Sequence, residues 1–371
     1  MKILFLSAHI YASKNKAGFH HLADAANRLK HNVFFCTVPN TPFNIIYELF
    51  RHPSRCWLRI KSLYSTLFKT TQNRIHYSTY FSLIYPMPRY HGWFKLKKLG
   101  FKYGFSRLFC NHTYDVIIVE SCAGLLLIPT LKRKFPNATF IYRVSDCLEM
   151  LDSDPNLIDF ETTILPTFDL VSTPISTITS HLQQKCPSAH ILTHPHGINT
   201  DDFDRASSLP SPYNQSLNAI FIGMYPGIDW YFLDNAAQQF PNIKFHIFGP
   251  YKPLIKSKNI HYYGIIPFKL TLPYLVHASI GLYCVKKNRS NTDLTHFARS
   301  LKFMQYTYTK LPIIAPKAMQ ITEPHVFSYA NNPTSIKLAI EKSLCHSKDH
   351  INTDHISSWD DLIQTLLGSS Q

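Results

Sequence analysis

The stretch IYRVSDCL, residues 141–148, closes an apolar run that begins at Ala138 and sets Arg143 and Asp146 within four residues of each other. A carboxylate at the mouth of a buried strand has two uses. It can take the proton from an attacking hydroxyl, for which one positioned base suffices, or it can cap the helix that CLEML would begin. Arg143 can orient Asp146, bind an acidic substrate, or close a structural ion pair. The chain holds 20 histidines but no H-E-x-x-H, and His20-His21 and His194/His196 are wrongly spaced for a metal site of their own, so no metal site is read. The 8 cysteines are scattered without a C-x-x-C, as expected of free thiols in a reducing compartment.

The elements around these residues repeat. KILFLSA (2–8), NVFFCTV (32–38), YDVIIVES (114–121), ATFIYRV (138–144), FDLVSTP (168–174) and HILTHPHG (190–197) are continuous apolar runs, with helical patterns such as AGFHHLADAANRLK (17–30) between them. Such runs indicate parallel strands covered on both faces. The pattern restarts after a polar linker near 200–216, with NAIFIGM, KFHIFGP, NIHYYG, ASIGLYCV and KLPIIAP, and the chain ends in an amphipathic helix around Trp359. Two doubly wound α/β domains are expected, with ligands at the carboxyl ends of their strands and a central cleft between them. The expected divisions are 1–203, 204–345 and 346–371, the last a helix packing back toward the N-terminal domain. No window offers eighteen consecutive apolar residues, and MKILFLSAHI reads as a first strand rather than a leader.

The formal charge of +15 is unevenly placed. Twelve Lys and Arg, with no Asp or Glu, fall between Leu49 and Tyr114, interleaved with Trp57, Tyr64, Phe68, Trp93, Phe94 and other aromatics. A single-sign basic surface with aromatics suits the headgroup level of an anionic membrane, and it would also suit a nucleic-acid backbone. No nucleic-acid motif accompanies it, so segment 50–110 is read as membrane-facing, with an ordinary basic surface whose aromatics lie in the core as the alternative.

HPHGINTDDF (194–203) resembles the interdomain motif of GT-B glycosyltransferases, N-G-V-D-x-x-x-F, and SLKFMQYTYTKLPIIAP (300–316) resembles their donor-site motif. With LSAH near the start, VIIVES, YRVSD, LVS, HGI, a Gly-Met after the first strand of the second domain and SLKFMQY, the chain is similar to the xanthan-type glucuronosyltransferases, glycosyltransferase family 70, over about residues 1–365. The resemblance implies a GT-B fold and an inverting transfer of glucuronic acid from UDP-glucuronate to a lipid-linked oligosaccharide on a polyprenyl-diphosphate carrier. It places the protein in the cytoplasm, peripheral on the inner face of a bacterial inner membrane, in exopolysaccharide biosynthesis.

Asp146 matches the family's catalytic aspartate. Gly223, Met224, Tyr283, Leu301, Lys302 and Gln305 fall at donor-binding positions, with Lys302 facing the diphosphate in place of a metal; no cofactor is implied. His9, His20, His21, Glu120 and Arg143 fall where the acceptor is expected, each with a structural role as the alternative. The E-x7-E pair of retaining GT-B enzymes is missing, since no Glu occurs between Glu161 and Glu323. Two positions depart from the family. Asn199 stands where HGVD has its aspartate. Ile265, after Tyr263-Gly264, stands where the family's best-known member is acidic, which opens the donor to another UDP-sugar. A non-catalytic module that binds a sugar nucleotide is the alternative of another class.

Overall fold

The computed structural model describes residues 1–13, 16–51, 53–83, 101, 103–110, 112–151, 153–214, 217–223, 227–250, 252, 255, 257–286 and 294–369. Its described helices and strands are numbered below in chain order. The chain divides into two compact units, Met1–Pro195 with Trp359–Gln371, and His196–Ser358.

Unit 1 holds β1 (Lys2–Ser7), α1 (Gly18–Arg28), β2 (Asn32–Asn40), α2 (Pro42–Arg51), α3 (Pro53–Leu67), β3 (Thr70–Gln72), β4 (Ile75–Phe81) and β5 (Val116–Glu120). It continues with α4 (Ile128–Lys134), β6 (Thr139–Arg143), α5 (Pro155–Ile164), β7 (Leu170–Thr173), α6 (Ser176–Lys185) and β8 (Ile191–Thr193). The sheet runs β3-β4-β2-β1-β5-β6-β7-β8, and only the β3–β4 hairpin is antiparallel. β1 and β5 are buried almost end to end, as strands covered on both faces must be. The basic segment therefore contributes α3 and the strands β3 and β4 to this unit. Its residues 84–100 and 102, with Arg89, Lys95, Lys97, Lys98, Lys102, Trp93 and Phe94, lie outside the described residues.

Unit 2 holds α7 (Thr200–Ser207), β9 (Asn218–Ile222), α8 (Trp230–Gln239), β10 (Lys244–Phe248), β11 (Ile260–Gly264), α9 (Phe268–His277) and β12 (Ile280–Leu282). It closes with α10 (Leu301–Tyr308), β13 (Ile313–Pro316), β14 (Val326–Tyr329) and α11 (Pro333–Leu344). All its strands are parallel in the order β11-β10-β9-β12-β13-β14, the doubly wound 3-2-1-4-5-6 arrangement. The expected linker near 200–216 instead begins with α7, whose Phe203 is buried in the unit 2 core and packs edge-on against Phe268 and Tyr308. The division consequently lies at Pro195/His196 rather than after 203.

The last helix, α12 (Trp359–Gly368), belongs to unit 1. Buried Trp359 stacks on His21 with ring centroids 5.8 Å apart, and Arg28 pairs with Asp360 at 2.5 Å. Among the described residues, no helix is long and apolar enough to cross a membrane.

Candidate functional site

In each unit the strand order reverses at one point, between β1 and β5 in unit 1 and between β9 and β12 in unit 2. The carboxyl ends of parallel strands diverge there and leave a crevice lined by loops, the usual ligand position in open α/β sheets.

At the unit 1 reversal, β5 ends in Glu120, paired in register with Arg143 at the end of β6. Ser7, the last residue of β1, donates its hydroxyl hydrogen to Glu120 Oε2 at 2.5 Å and accepts from the His9 backbone N–H at 3.0 Å. The exposed His9 ring brings Nε2 to 3.8 Å from Glu120 Oε1. Burial raises the Glu120 pKa, opposed by His9, the Ser7 hydrogen bond and Arg143, and reinforced by Asp146. Asp146 follows β6 in a bend, with solvent on one side. Desolvation by the protein around it raises its pKa as well, again opposed by His9. Two carboxyls and an imidazole thus share one electrostatic neighbourhood.

No helix starts at Asp146. The next one, α5, is capped by Asp154, whose carboxylate accepts from the Asn156 N–H at 2.9 Å. The capping use is taken by a different residue, and Asp146 makes no side-chain hydrogen bond among the described residues.

Arg143 is placed differently from an acceptor contact. Its side chain is 2% exposed, and its guanidinium donates to the Ser172 hydroxyl and the His194 carbonyl, both at 2.7 Å. Burial lowers its pKa to about 9, with Glu120 opposing. It acts at the site through its field on Glu120 while tying β6 to the segment after β8. His20 is also removed from the acceptor list: it is fully buried, Nδ1 accepts from the Ala17 N–H at 3.0 Å, and Nε2 donates to the Ile10 carbonyl at 3.2 Å. Burial lowers its pKa to about 3, so it is a neutral structural imidazole. His21 packs on Trp359 instead of the strand ends.

Below the site, the Tyr142 hydroxyl donates to buried Glu161, whose Oε2 has no hydrogen-bond partner among the described residues. Burial raises the Glu161 pKa from 4.5 to about 7. The folded protein therefore holds a proton that the unfolded chain has lost between these values, and this contribution to stability is present at low pH and lost as pH rises through about 7. Glu161→Gln is expected to remove that slope and to gain about 3 kcal/mol over wild type at alkaline pH; thermal unfolding of both proteins across the range checks it.

At the unit 2 reversal, Lys302 in the first turn of α10 lays its ammonium 4.0 Å from the Phe221 ring centroid and 5.1 Å from that of Tyr283. Gly223, just after β9, leaves room for it: a Cβ there would sit 2.8 Å from Nζ. Gly249, at φ +156°, is required by packing, since its Cβ would lie 2.3 Å from the Gly223 carbonyl oxygen. Burial lowers the Lys302 pKa to about 8, and among the described residues no carboxylate lies within ion-pair distance of it.

Tyr283 is itself buried, with its hydroxyl 2.5 Å from Ser300 Oγ. Buried Tyr306 fixes α10 from below, donating toward the Ile220 carbonyl at 3.2 Å and accepting from the Ile222 N–H at 3.2 Å. Leu301 and Gln305 are half-buried on the same helix, Ile265 is exposed, and Met224 lies outside the described residues. Phe221, Ser7 and Tyr306 were not singled out in the sequence. Each works through a partner distant in the chain, a signal that local spacing does not carry. Among the described residues, no three His, Cys, Asp or Glu side chains gather as metal ligands.

Residues 5–174 match the family model described as glucuronosyltransferase GumK, N-terminal domain. Over 256 residues the chain is 25% identical to the UDP-glucuronate:glycolipid 2-beta-glucuronosyltransferase of Xanthomonas campestris pv. campestris, a match covering 68% of this chain and 62% of that protein's length. Among solved structures it is similar to sucrose-phosphate synthase from Thermosynechococcus elongatus (TM-score 0.63, 12% identity, 100% of this chain and 96% of that one). It is likewise similar to Anabaena HepE in complex with UDP and glucose (TM-score 0.56, 13% identity, 100% and 97%). At these identities the structures establish the fold alone, which is GT-B.

Proposed function

We propose, from the match of residues 5–174 to the N-terminal domain of glucuronosyltransferase GumK, that this chain is an inverting glycosyltransferase moving glucuronic acid from UDP-glucuronate to a polyprenyl-diphosphate-linked oligosaccharide. The acceptor hydroxyl gives its proton to Asp146 as its oxygen bonds to C1 of the sugar. The bond from C1 to the diphosphate oxygen breaks in the same displacement, and UDP leaves with the electron pair. A single displacement inverts C1.

Unit 2 holds the donor, with Lys302 neutralising the departing diphosphate so that no metal is needed, Gly223 letting backbone approach it, and Gln305 hydrogen-bonding the nucleotide. His9 and Glu120 hold acceptor hydroxyls. The observation that carries this reading is the Asp146 carboxyl, uncapped and raised in pKa beside Glu120 and His9 at the strand ends. The printed activity of the Xanthomonas relative supports the donor and a glycolipid acceptor.

Peripheral association with an anionic membrane, and with it a place in exopolysaccharide assembly, is supported by α2 and α3. There Phe50 (81% exposed), Trp57 (68%), Tyr64 and Leu67 stand at the surface beside exposed Lys61. A second reading keeps the mechanism but changes the donor, because Ile265 presents an exposed apolar side chain at the position where an acid was expected.

The test is transfer of label from a panel of UDP-sugars to a lipid extract of the source cells, with and without chelator. Glucuronate transfer that survives chelation is the expected result. Transfer from a different UDP-sugar alone overturns the donor, and UDP binding without any transfer favours a binding module.

A further inference from the structure

A second cavity lies away from both strand reversals. It opens at the amino ends of the unit 1 strands, where Phe34 is near the start of β2, His76 near the start of β4, and His112 just ahead of β5. Its volume is about 90 Å³, and Lys69, Thr70, Tyr77, Arg107 and Leu108 line it as well. Phe34 forms a floor between the two imidazoles, with ring centroids 5.3 Å from His76 and 4.8 Å from His112. The Thr71 hydroxyl lies 3.0 Å from His76 Nδ1 and fixes that ring in the wall.

Two permanent cations and two imidazoles thus converge from four segments of chain, and no acid lines the cavity. Among the described residues, neither Lys69 nor Arg107 has a carboxylate within ion-pair distance. Burial lowers the pKa of both histidines, and the neighbouring cations lower it further: Lys69 and Arg107 act on His76, and Arg107, His76, Lys2 and Lys69 on His112. Like charges gathered without a counter-charge oppose the fold, whereas an anion seated among them would offset the repulsion.

We infer that this cavity is a binding site for a phosphate group, carried either by a soluble phosphate ester or by a phospholipid head. Lys69 and Arg107 supply the charge, the imidazoles supply further donors, and Phe34 supplies an apolar floor for the carbon next to the phosphate. The headgroup source has support in the chain itself, since α3 ends in exposed Leu67 and Phe68 immediately before Lys69. The site is independent of the transfer reaction and stands whatever sugar the protein moves.

The test uses the full chain, titrated with inorganic phosphate against chloride at equal ionic strength. The imidazole proton resonances of His76 and His112 are followed, together with retention on phosphatidylcholine vesicles with and without phosphatidylglycerol. Lys69 and Arg107 lie at or near the surface, so the double variant Lys69→Gln/Arg107→Gln keeps the fold. A variant of equal charge loss, Arg133→Gln/Lys134→Gln, controls for net charge.

Saturable phosphate-induced shifts of both histidines, weakened about tenfold in the double variant and unchanged in the control, are expected. Free-phosphate binding assigns the soluble ester. Retention on anionic vesicles alone, lost in the double variant only, assigns the lipid head. Phosphate and vesicle responses no greater than those of chloride and neutral lipid, or equal losses in both variants, overturn the site.

Discussion

An Asp146→Asn variant is expected to transfer glucuronate about 10²–10⁴-fold more slowly than wild type, with UDP affinity unchanged. The substitution keeps the size and shape of the side chain while removing its charge and its ability to accept the proton. The wild-type rate should fall as pH drops through the Asp146 pKa, which lies above that of an ordinary aspartate because protein desolvates the carboxyl. The variant's residual rate should lack that acid limb. Because Lys302, Gly223 and Gln305 belong to unit 2, UDP titrated calorimetrically into both proteins should give one affinity. A variant with wild-type turnover would move the base to Glu120, the other carboxyl of raised pKa in the same neighbourhood.

Lys302→Met should lower kcat/KM by about 10²–10³-fold, the usual loss when one charged donor to a developing anion is removed. Methionine preserves an apolar stem over Phe221 and Tyr283, so packing changes little while the ammonium disappears. The buried ammonium titrates near 8 in the ligand-free protein, so UDP affinity should be full below that pH and decline as pH rises through it. A bound diphosphate favours the charged lysine, and UDP binding at alkaline pH should therefore take up a proton. Calorimetry in buffers of different ionisation heat reads that proton directly. Wild-type affinity that stays flat through this range would remove Lys302 from the diphosphate.

The strands that build both sheets were legible because burial on two faces writes itself as a continuous apolar run, in KILFLSA or VIIVE as in NAIFI. The β3–β4 hairpin was not. TTQ is wholly polar and IHYSTYF mixes polar and aromatic residues without a continuous apolar run, and the basic charges nearby drew the reading toward a surface segment. β14 and α11 were missed because VFSY is short and the start signal of its helix, the Asn332 cap followed by Pro333, was not read.

At the candidate site, positions fixed by strand ends were readable: Glu120 and Arg143 close strands, Asp146 follows one, and Lys302 opens a helix. Their environments were not. Adjacent residues on a helix point about 100° apart, so His20 and His21 cannot serve the same side, and in α1 one is buried while the other meets Trp359. The Arg143 side chain likewise turns inward to Ser172 and His194, partners many residues away. The order of elements was written locally, while the contacts were written across the sheet.

Unit 1 is discontinuous in the chain, opening at Met1 and finished only by the helix from Trp359, with all of unit 2 between. During synthesis the whole of unit 2 leaves the ribosome before the residues that cover α1, so the half of the protein made first is the half completed last. Until then the ring-sized gap beside Gly18, which Trp359 fills at 3.1 Å from where a Cβ would stand, is open to other chains. Within unit 2, the backbone N–H of Ile198 donates to Ser357 at 3.0 Å, so the segment enters and leaves at one place, as an inserted domain does. A nonsense codon ahead of Trp359 would accordingly strike unit 1, at the opposite end of the sequence from where most of its residues are encoded.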